Sequence, residues 1–416
     1  MEKISTITLF DGSIATIKDT DTYKALRSTD YNFFFDKRDG FFVRFGKKEN
    51  YDVLPTKITK QEMELFVMWS NIWKEKFNIK EFVADLGTDG KLELGLPEIA
   101  DIEISTSCHG VKGIGPCSFC YKANLPTKNG EGNMTLDTFK KVLSKITKIP
   151  TIGQIAFGIT DIDANPDMWD IFEYTRLQGV IPNVTINGDR MTSELFDKLS
   201  NTMGAVAVSY YDKNLTYNAI SELTNRGMKQ VNIHFMVAHQ TYGTAIQLIK
   251  DLKTDSRLEK LNAIVFLSLK SKGRAVKNTY TRLSDEKFKE LVEFAFENNA
   301  PIGFDSCGCT KFLKSIKGRK DEMELTKYSE SCESSIYSLY INSGEKNEKG
   351  ESDPKFYPCS FSEKVESAPG DWSNGISILD SEDFFNNIWF SEKVRQFSKT
   401  TIENKKNCIA CSMYNI

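Results

Sequence analysis

Ser107-Cys108-His109-Gly110-Val111-Lys112-Gly113-Ile114-Gly115-Pro116-Cys117-Ser118-Phe119-Cys120-Tyr121 places three of the chain's nine cysteines within thirteen residues. Thiolates this close together, on a segment loosened by glycines and a proline, describe a loop that wraps a metal centre, either zinc or an iron–sulfur cluster. The spacing is Cys-x8-Cys-x2-Cys, and no fourth cysteine or well-spaced histidine follows nearby to close a tetrahedral zinc site. His109 adjoins Cys108, so the two side chains do not readily turn to one small ion. Three ligands on a four-iron cluster leave one iron open to chemistry.

The rest of the chain is ordinary for a soluble protein. It has 416 residues, 40% hydrophobic and 27% charged, with a net charge of −3. That length carries two or three packed units. The charge balance gives no reason to expect nucleic acid or an anionic membrane as a partner. The start, Met1-Glu2-Lys3-Ile4-Ser5-Thr6, lacks the apolar core of a signal peptide, and no apolar run is long enough to span a bilayer, so a cytoplasmic location is expected. An odd cysteine total and Cys-x2-Cys pairs favour reduced, metal-binding thiols over disulfides.

Residues 1–98 read as a separate α+β unit. Tyr31 to Gly46 is two aromatic-rich runs around Asp39-Gly40, a hairpin signal, and 61–76 has helical spacing of Met63, Phe66, Val67 and Ile72. From 99 to 310 short apolar strands (101–105, 154–157, 183–186, 205–209, 230–237, 263–269) alternate with amphipathic helices near 135–147, 166–178, 191–201, 214–227, 242–253 and 284–298. Such alternation predicts an α/β fold with a parallel sheet, either a partial barrel or a doubly wound sheet, with ligands at the C-terminal strand ends. The cysteine loop follows the first strand and lands at that end.

With Cys117-Ser118-Phe119-Cys120 in place, the chain resembles the radical S-adenosylmethionine (SAM) enzymes, whose motif is Cys-x3-Cys-x-aromatic-Cys after the first barrel strand; the first spacing here is eight residues instead of three. The resemblance implies a partial (β/α)6 TIM-like barrel. Cys108, Cys117 and Cys120 would hold a [4Fe-4S] cluster, with the extra segment bulging beside it and supplying no ligand. It also implies cofactor contacts. Phe119 is the motif aromatic. Gly158 and Asp161, in Phe157-Gly158-Ile159-Thr160-Asp161, would receive the SAM amino group, and Asn187 and Ser209 its carboxylate and ribose. Ser268 to Ala275 is similar to the family's Gly-Arg-Ala turn near adenine, although Lys270 and Arg274 also read as solvated charges. His234 shares a strand face with Asn232 and is either a site residue or a satisfied core histidine.

After residue 310 the alternation stops. Ser335 to Gly344 and Lys355 to Phe361 resemble the hairpin of the SPASM and twitch extensions, with the charged stretch 345–354 as a surface loop between them. Over 311–416, Cys332, Cys359, Cys408 and Cys411 would close a second, auxiliary [4Fe-4S] cluster; a structural zinc site uses the same ligands. Asp305, Cys307 and Cys309 are candidate catalytic groups, a base and one or two thiols, or else ordinary partly buried side chains. The expected function is reductive cleavage of SAM to a 5'-deoxyadenosyl radical that abstracts hydrogen from a peptide or protein. Flavodoxin or ferredoxin would be the electron donor. A small-molecule dehydrogenase and a non-catalytic zinc-binding interaction protein are the alternatives.

Overall fold

The computed structural model of the chain describes residues 3–8, 14–27, 31–37, 42–46, 83–84, 96–127, 130–149, 151–277, 280–326, 329, 332–346, 352–406 and 411. Strands β1 (Lys3–Thr8), β2 (Ile14–Asp19), β3 (Tyr23–Arg27), β4 (Tyr31–Asp36), β5 (Phe42–Gly46) and β6 (Val83–Ala84) form one antiparallel sheet in sequence order. The strands flanking Asp39-Gly40 pair antiparallel as β4 and β5, as expected of a hairpin, while the turn itself lies outside the described residues. The helix expected over 61–76 lies outside the described residues. Phe35, buried, reaches from this sheet to Gly153, where a Cβ would come within 2.7 Å of its ring. Gly153 immediately precedes the second barrel strand, so the N-terminal sheet packs beneath the barrel.

The main sheet contains β7 (Ile99–Glu103), β8 (Gln154–Gly158), β9 (Ile181–Ile186), β10 (Ala205–Ser209), β11 (Val231–Val237), β12 (Ala263–Ser268) and β13 (Ile302–Phe304). Helices α1 (Leu136–Ile146), α2 (Met168–Leu177), α3 (Ser193–Thr202), α4 (Lys213–Asn225), α5 (Tyr242–Asp251) and α6 (Asp285–Glu297) connect them. Local chemistry explains the helix starts: Thr135 and Ser284 each accept a backbone N–H three residues on, at 3.2 Å. Phe139, Val142, Leu143 and Ile146 then line the buried stripe of α1.

Strand order decides between the two predicted architectures. A doubly wound sheet reverses its order midway. Here β7 to β13 lie side by side in unbroken sequence order and all parallel. Right-handed crossovers then put every connecting helix on one face, and the sheet curls into a partial barrel. The expected partial (β/α)6 barrel is the observed fold, with one strand the sequence pattern did not reveal, the short β13.

One sheet face is fully covered: Ala100, Ile102, Ile155, Phe157, Val184, Val208, Ile233, Phe235 and Phe266 are all buried beneath the helices. The other face is open. Asp101, Ala156 and Gly158 are exposed although β7 and β8 are central strands, and Asn183, Thr185, Ser209, Asn232 and His234 are only half-buried. Closed barrels fill this face with branched aliphatic side chains. Here small and polar residues leave a lumen.

The chain beyond α7 (Cys309–Ile316) returns to the same sheet. Strand β14 (Ser338–Ile341) pairs in parallel with β7, setting Tyr340 opposite Asp101. The ends of the charged insertion pair as β15 (Glu345–Lys346) and β16 (Ser352–Asp353). Strand β17 (Lys355–Tyr357) then runs antiparallel to β14, followed by β18 (Ile376–Ser377) and α8 (Glu392–Lys406). Among the described residues no helix is long and apolar enough to cross a membrane.

Candidate functional site

The loop after β7 closes on itself before it reaches Cys117. Val111 N–H donates to the Gly115 carbonyl at 3.1 Å, and Gly115 N–H returns to Val111 at 2.7 Å. Gly110 has φ +72°, and a Cβ there would fall 2.2 Å from the Gly115 carbonyl carbon, so only glycine makes the turn. The extra residues between Cys108 and Cys117 therefore form a side loop that is tied to the neighbouring strand ends. Arg190, beyond β9, donates to the Gly110 carbonyl at 2.8 Å, and Lys112 N–H donates to Asp189 at 2.8 Å. His109 turns to Asp161, beyond β8, with its backbone N–H at 2.6 Å and its ring Nδ1 at 3.1 Å.

A second grip holds the Cys117–Cys120 end. Arg274 N–H donates to the Cys120 carbonyl at 2.9 Å, its Nε to the Cys117 carbonyl at 2.8 Å, and its Nη1 to Asn124 at 3.0 Å. Gly273, at φ +61°, presses so close that a Cβ would meet the Tyr121 carbonyl oxygen at 2.4 Å. Arg274, which the sequence also allowed to be a solvated charge, is instead the backbone clamp of the loop. Phe119 stacks on Tyr211 with centroids 6.3 Å apart, and the Tyr211 hydroxyl lies 2.8 Å from Cys117 Sγ.

Burial pushes the Cys108 and Cys117 thiols above their usual range, and the charges of the other loop cysteines raise them further. A cationic metal group removes that repulsion and the cost of ionisation together, so the three donors suit metal ligation. Among the described residues no three His, Cys, Asp or Glu side chains converge closely enough to hold a metal ion.

Around the lumen mouth, Asp161 is buried and also accepts from Asn187 Nδ2 at 3.2 Å. Gly158 lets β8 approach β7, a Cβ there lying 3.3 Å from Glu103 Cα. Ser209 sits in register with His234, whose Nδ1 is 3.4 Å from Thr185 Oγ1. Burial drives the His234 imidazole down to about 4 against the opposing pull of Asp305, so it is neutral. Ser268 donates to Asp305 from Oγ at 3.0 Å and from its backbone at 3.2 Å. Lys270 is likewise no solvated charge: it is buried, donates to Asp305 at 3.1 Å, and lies 4.7 Å above the Phe361 ring.

The candidate thiols separate. Burial pushes the Cys307 thiol up despite the nearby Lys270 ammonium, and it feels the charges of Cys332 and Cys359. It belongs with the second cysteine set. Cys309, two residues on, is buried in the first turn of α7. Burial raises Cys359 to about 11, with Cys332 and then Cys411 adding to the effect. Cys332, Cys359 and Cys411 therefore share one neighbourhood, while Cys408 lies outside the described residues.

Between the two cysteine sets lies a polar network that the sequence reading missed. Lys122, two residues past Cys120, pairs with Glu103 at 2.9 Å and with Glu363, and donates to the Tyr340 hydroxyl at 2.7 Å. Asn342 donates to Glu363 at 2.8 Å, and the Tyr121 and Phe361 rings meet at 4.4 Å. Asp101 was also missed. Its available signal was two acids spaced by two in an apolar strand, which puts Asp101 and Glu103 on one face.

No family model matches the chain, and no curated protein matches its sequence. Solved structures do. The Streptococcus suis protein SuiB aligns at 13% identity and TM-score 0.58 over 94% of both chains. SuiB bound to its precursor peptide SuiA aligns at 11% identity and TM-score 0.56, covering 88% of this chain and 86% of that one. anSMEcpe with bound AdoMet and a peptide aligns at 16% identity and TM-score 0.51, covering 76% of this chain and 86% of that one. SuiB is also solved bound to S-adenosylmethionine, and the chain shares the fold of these neighbours.

Proposed function

We propose that the chain is a radical SAM enzyme that modifies a peptide or protein. The observation that carries this reading is the placement of Cys108, Cys117 and Cys120, clamped at the C-terminal end of the first parallel strand above an open, polar-lined lumen. Three loop cysteines leave one iron of a four-iron cluster open, whereas a structural zinc site takes four protein ligands. Bound there with SAM, that cluster would supply the electron that yields a 5'-deoxyadenosyl radical able to take hydrogen from a substrate carbon.

The chain's own residues do the holding and shielding. Arg274 and Gly273 fix the backbone that presents Cys117 and Cys120. Asp161, Asn187, Ser209 and Ser268 stand at strand ends where the amino, carboxylate and ribose groups of SAM need hydrogen-bond partners, and Gly158 admits close backbone approach. Phe119 contributes to an aromatic shelf with Tyr211. Neutral His234 adds no cation to the lumen, and Asp305 holds Lys270 at its rim. The helix-covered outer face excludes water from one side of the chemistry.

In the same reading Cys332, Cys359, Cys408 and Cys411 hold an auxiliary cluster in a twitch-like unit over 311–416, following a barrel over 99–310 and an N-terminal unit over 1–98. Cys307 is a thiol beside that cluster. A flavodoxin or ferredoxin donates the electron, in the cytoplasm. The peptide class is supported by neighbours whose structures hold peptides. Anaerobic reconstitution with iron and sulfide, then reduction with SAM, is expected to yield 5'-deoxyadenosine. A cluster-loaded protein that never cleaves SAM overturns the reading, as does a Cys117→Ala variant that cleaves it at the parent rate.

A further inference from the structure

Every other described acid around the lumen has a partner. Glu103 and Glu363 share Lys122, Asp161 holds His109 and Asn187, and Asp305 holds Lys270 and Ser268. Asp101 is the exception. Among the described residues no hydrogen bond or ion pair reaches its carboxylate.

Its position is not that of a solvated surface acid. Asp101 lies in the middle of β7, in register with Ala156 on one side and Tyr340 on the other, on the central strands of the sheet. Continuing across the sheet, Ala156 faces Asn183 and Asn183 faces Ala205. This row of small residues leaves free space before the carboxylate, which is exposed into the lumen. Asn183 is already committed, donating to Gln154 at 2.9 Å and accepting from Ala205 N–H at 2.9 Å. The surrounding protein pushes the Asp101 carboxyl up to about 6, and no cation opposes it. The nearby ammonium groups are occupied, Lys122 and Lys270 by carboxylates and Lys272 by the carbonyls of Phe361 and Glu363.

We infer that Asp101 anchors an organic cation of the substrate, an alkylammonium or guanidinium group, inside the lumen. A carboxylate without a protein partner and with free space in front of it gains a charge-assisted hydrogen bond from such a group. The small residues beside it leave room for the alkyl stem. This inference rests on the reading that the substrate is bound on the lumen side, and it names the chemistry of what enters.

The test is a calorimetric titration of the full chain with N-acetyl-lysinamide, N-acetyl-argininamide and N-acetyl-norleucinamide. At least one cationic probe is expected to bind tenfold or more tighter than the norleucine analogue. Comparison of lysine with arginine assigns ammonium or guanidinium. Asp101→Asn should remove the preference, weakening the cation about tenfold and leaving norleucinamide unchanged, while Asp101→Glu should retain it. The Asn variant breaks no hydrogen bond or ion pair among the described residues, so it should melt close to the parent. An unchanged cation affinity in Asp101→Asn, or no preference for either cation in the parent, overturns the inference. Formation of 5'-deoxyadenosine is scored separately in the same proteins, so failure of the anchor is distinguishable from failure of the enzyme assignment.

Discussion

Asp161 accepts both the backbone N–H of His109, at 2.6 Å, and its ring Nδ1, at 3.1 Å. The residue after the first thiol is thereby fastened to the end of the second barrel strand. This accounts for the eight-residue spacing: the extra segment is long enough to be tied down on β8 and β9 while Cys108 still faces Cys117.

Asp161→Ala should loosen this tie. Losing hydrogen bonds to a charged acceptor costs about 1–3 kcal/mol locally. Limited proteolysis of the metal-free chain should show faster cleavage within 108–117, with cuts elsewhere unchanged. Asp161→Asn, which keeps an acceptor oxygen, should fall between the parent and the alanine variant.

Glycine substitutions should divide by what a Cβ meets. At Gly273 it would strike the Tyr121 carbonyl oxygen at 2.4 Å, whereas at Gly113, with φ +80°, nothing lies within 4 Å. Gly113→Ala should cost about 1–2 kcal/mol, the price of the left-handed backbone alone. Gly273→Ala adds an overlap with backbone and should cost about 2–4 kcal/mol. Thermal melts of the two variants provide the comparison.

Lys122→Met should leave Glu103 and Glu363 facing each other without their cation. Breaking a buried pair in this way costs about 3–5 kcal/mol. Burial already raises the Glu103 carboxyl, and loss of Lys122 removes the main opposing influence. The folded variant should then bind protons more readily than the unfolded chain. Its stability deficit at pH 7 should therefore shrink as the pH falls toward 5, in denaturant titrations at each pH.

His234 gives the opposite slope. Its imidazole is held down to about 4 from 6.5, so below pH 6.5 the unfolded chain takes up a proton that the folded chain refuses. The full contribution is present above pH 6.5 and is lost as the pH falls toward 4, at about 3 kcal/mol in total. A His234→Gln variant should lose this share of the acid sensitivity while melting near the parent temperature at pH 7.5.

Period-2 and helical spacing made the barrel legible: the six predicted strands and six connecting helices are all present, with no end shifted by more than two residues. The strand Ile302-Gly303-Phe304 escaped because three residues with a central glycine carry no period. Cys307 and Cys309 could not be ranked because two positions in one helical turn differ only by rotation, which packing sets. The candidate ligand cysteines of the first loop were readable as chemistry. Their clamps were not: Arg274, Tyr211 and Asp189 come from distant segments and meet the loop only through the fold. Asp101 and Glu103 were visible as two acids on one face, but which was paired depended on Lys122.

The parallel pairing of β14 with β7 has a consequence for anyone recombining such chains. A cut near residue 310 would strip the outer neighbour from β7 and strand Lys122 without Glu363. Exchanging the C-terminal portion for that of another protein therefore transplants half of a shared ladder and half of a charge network. A viable chimera must import matching versions of β7 and Lys122 together with the new tail, so the two halves are inherited as a unit.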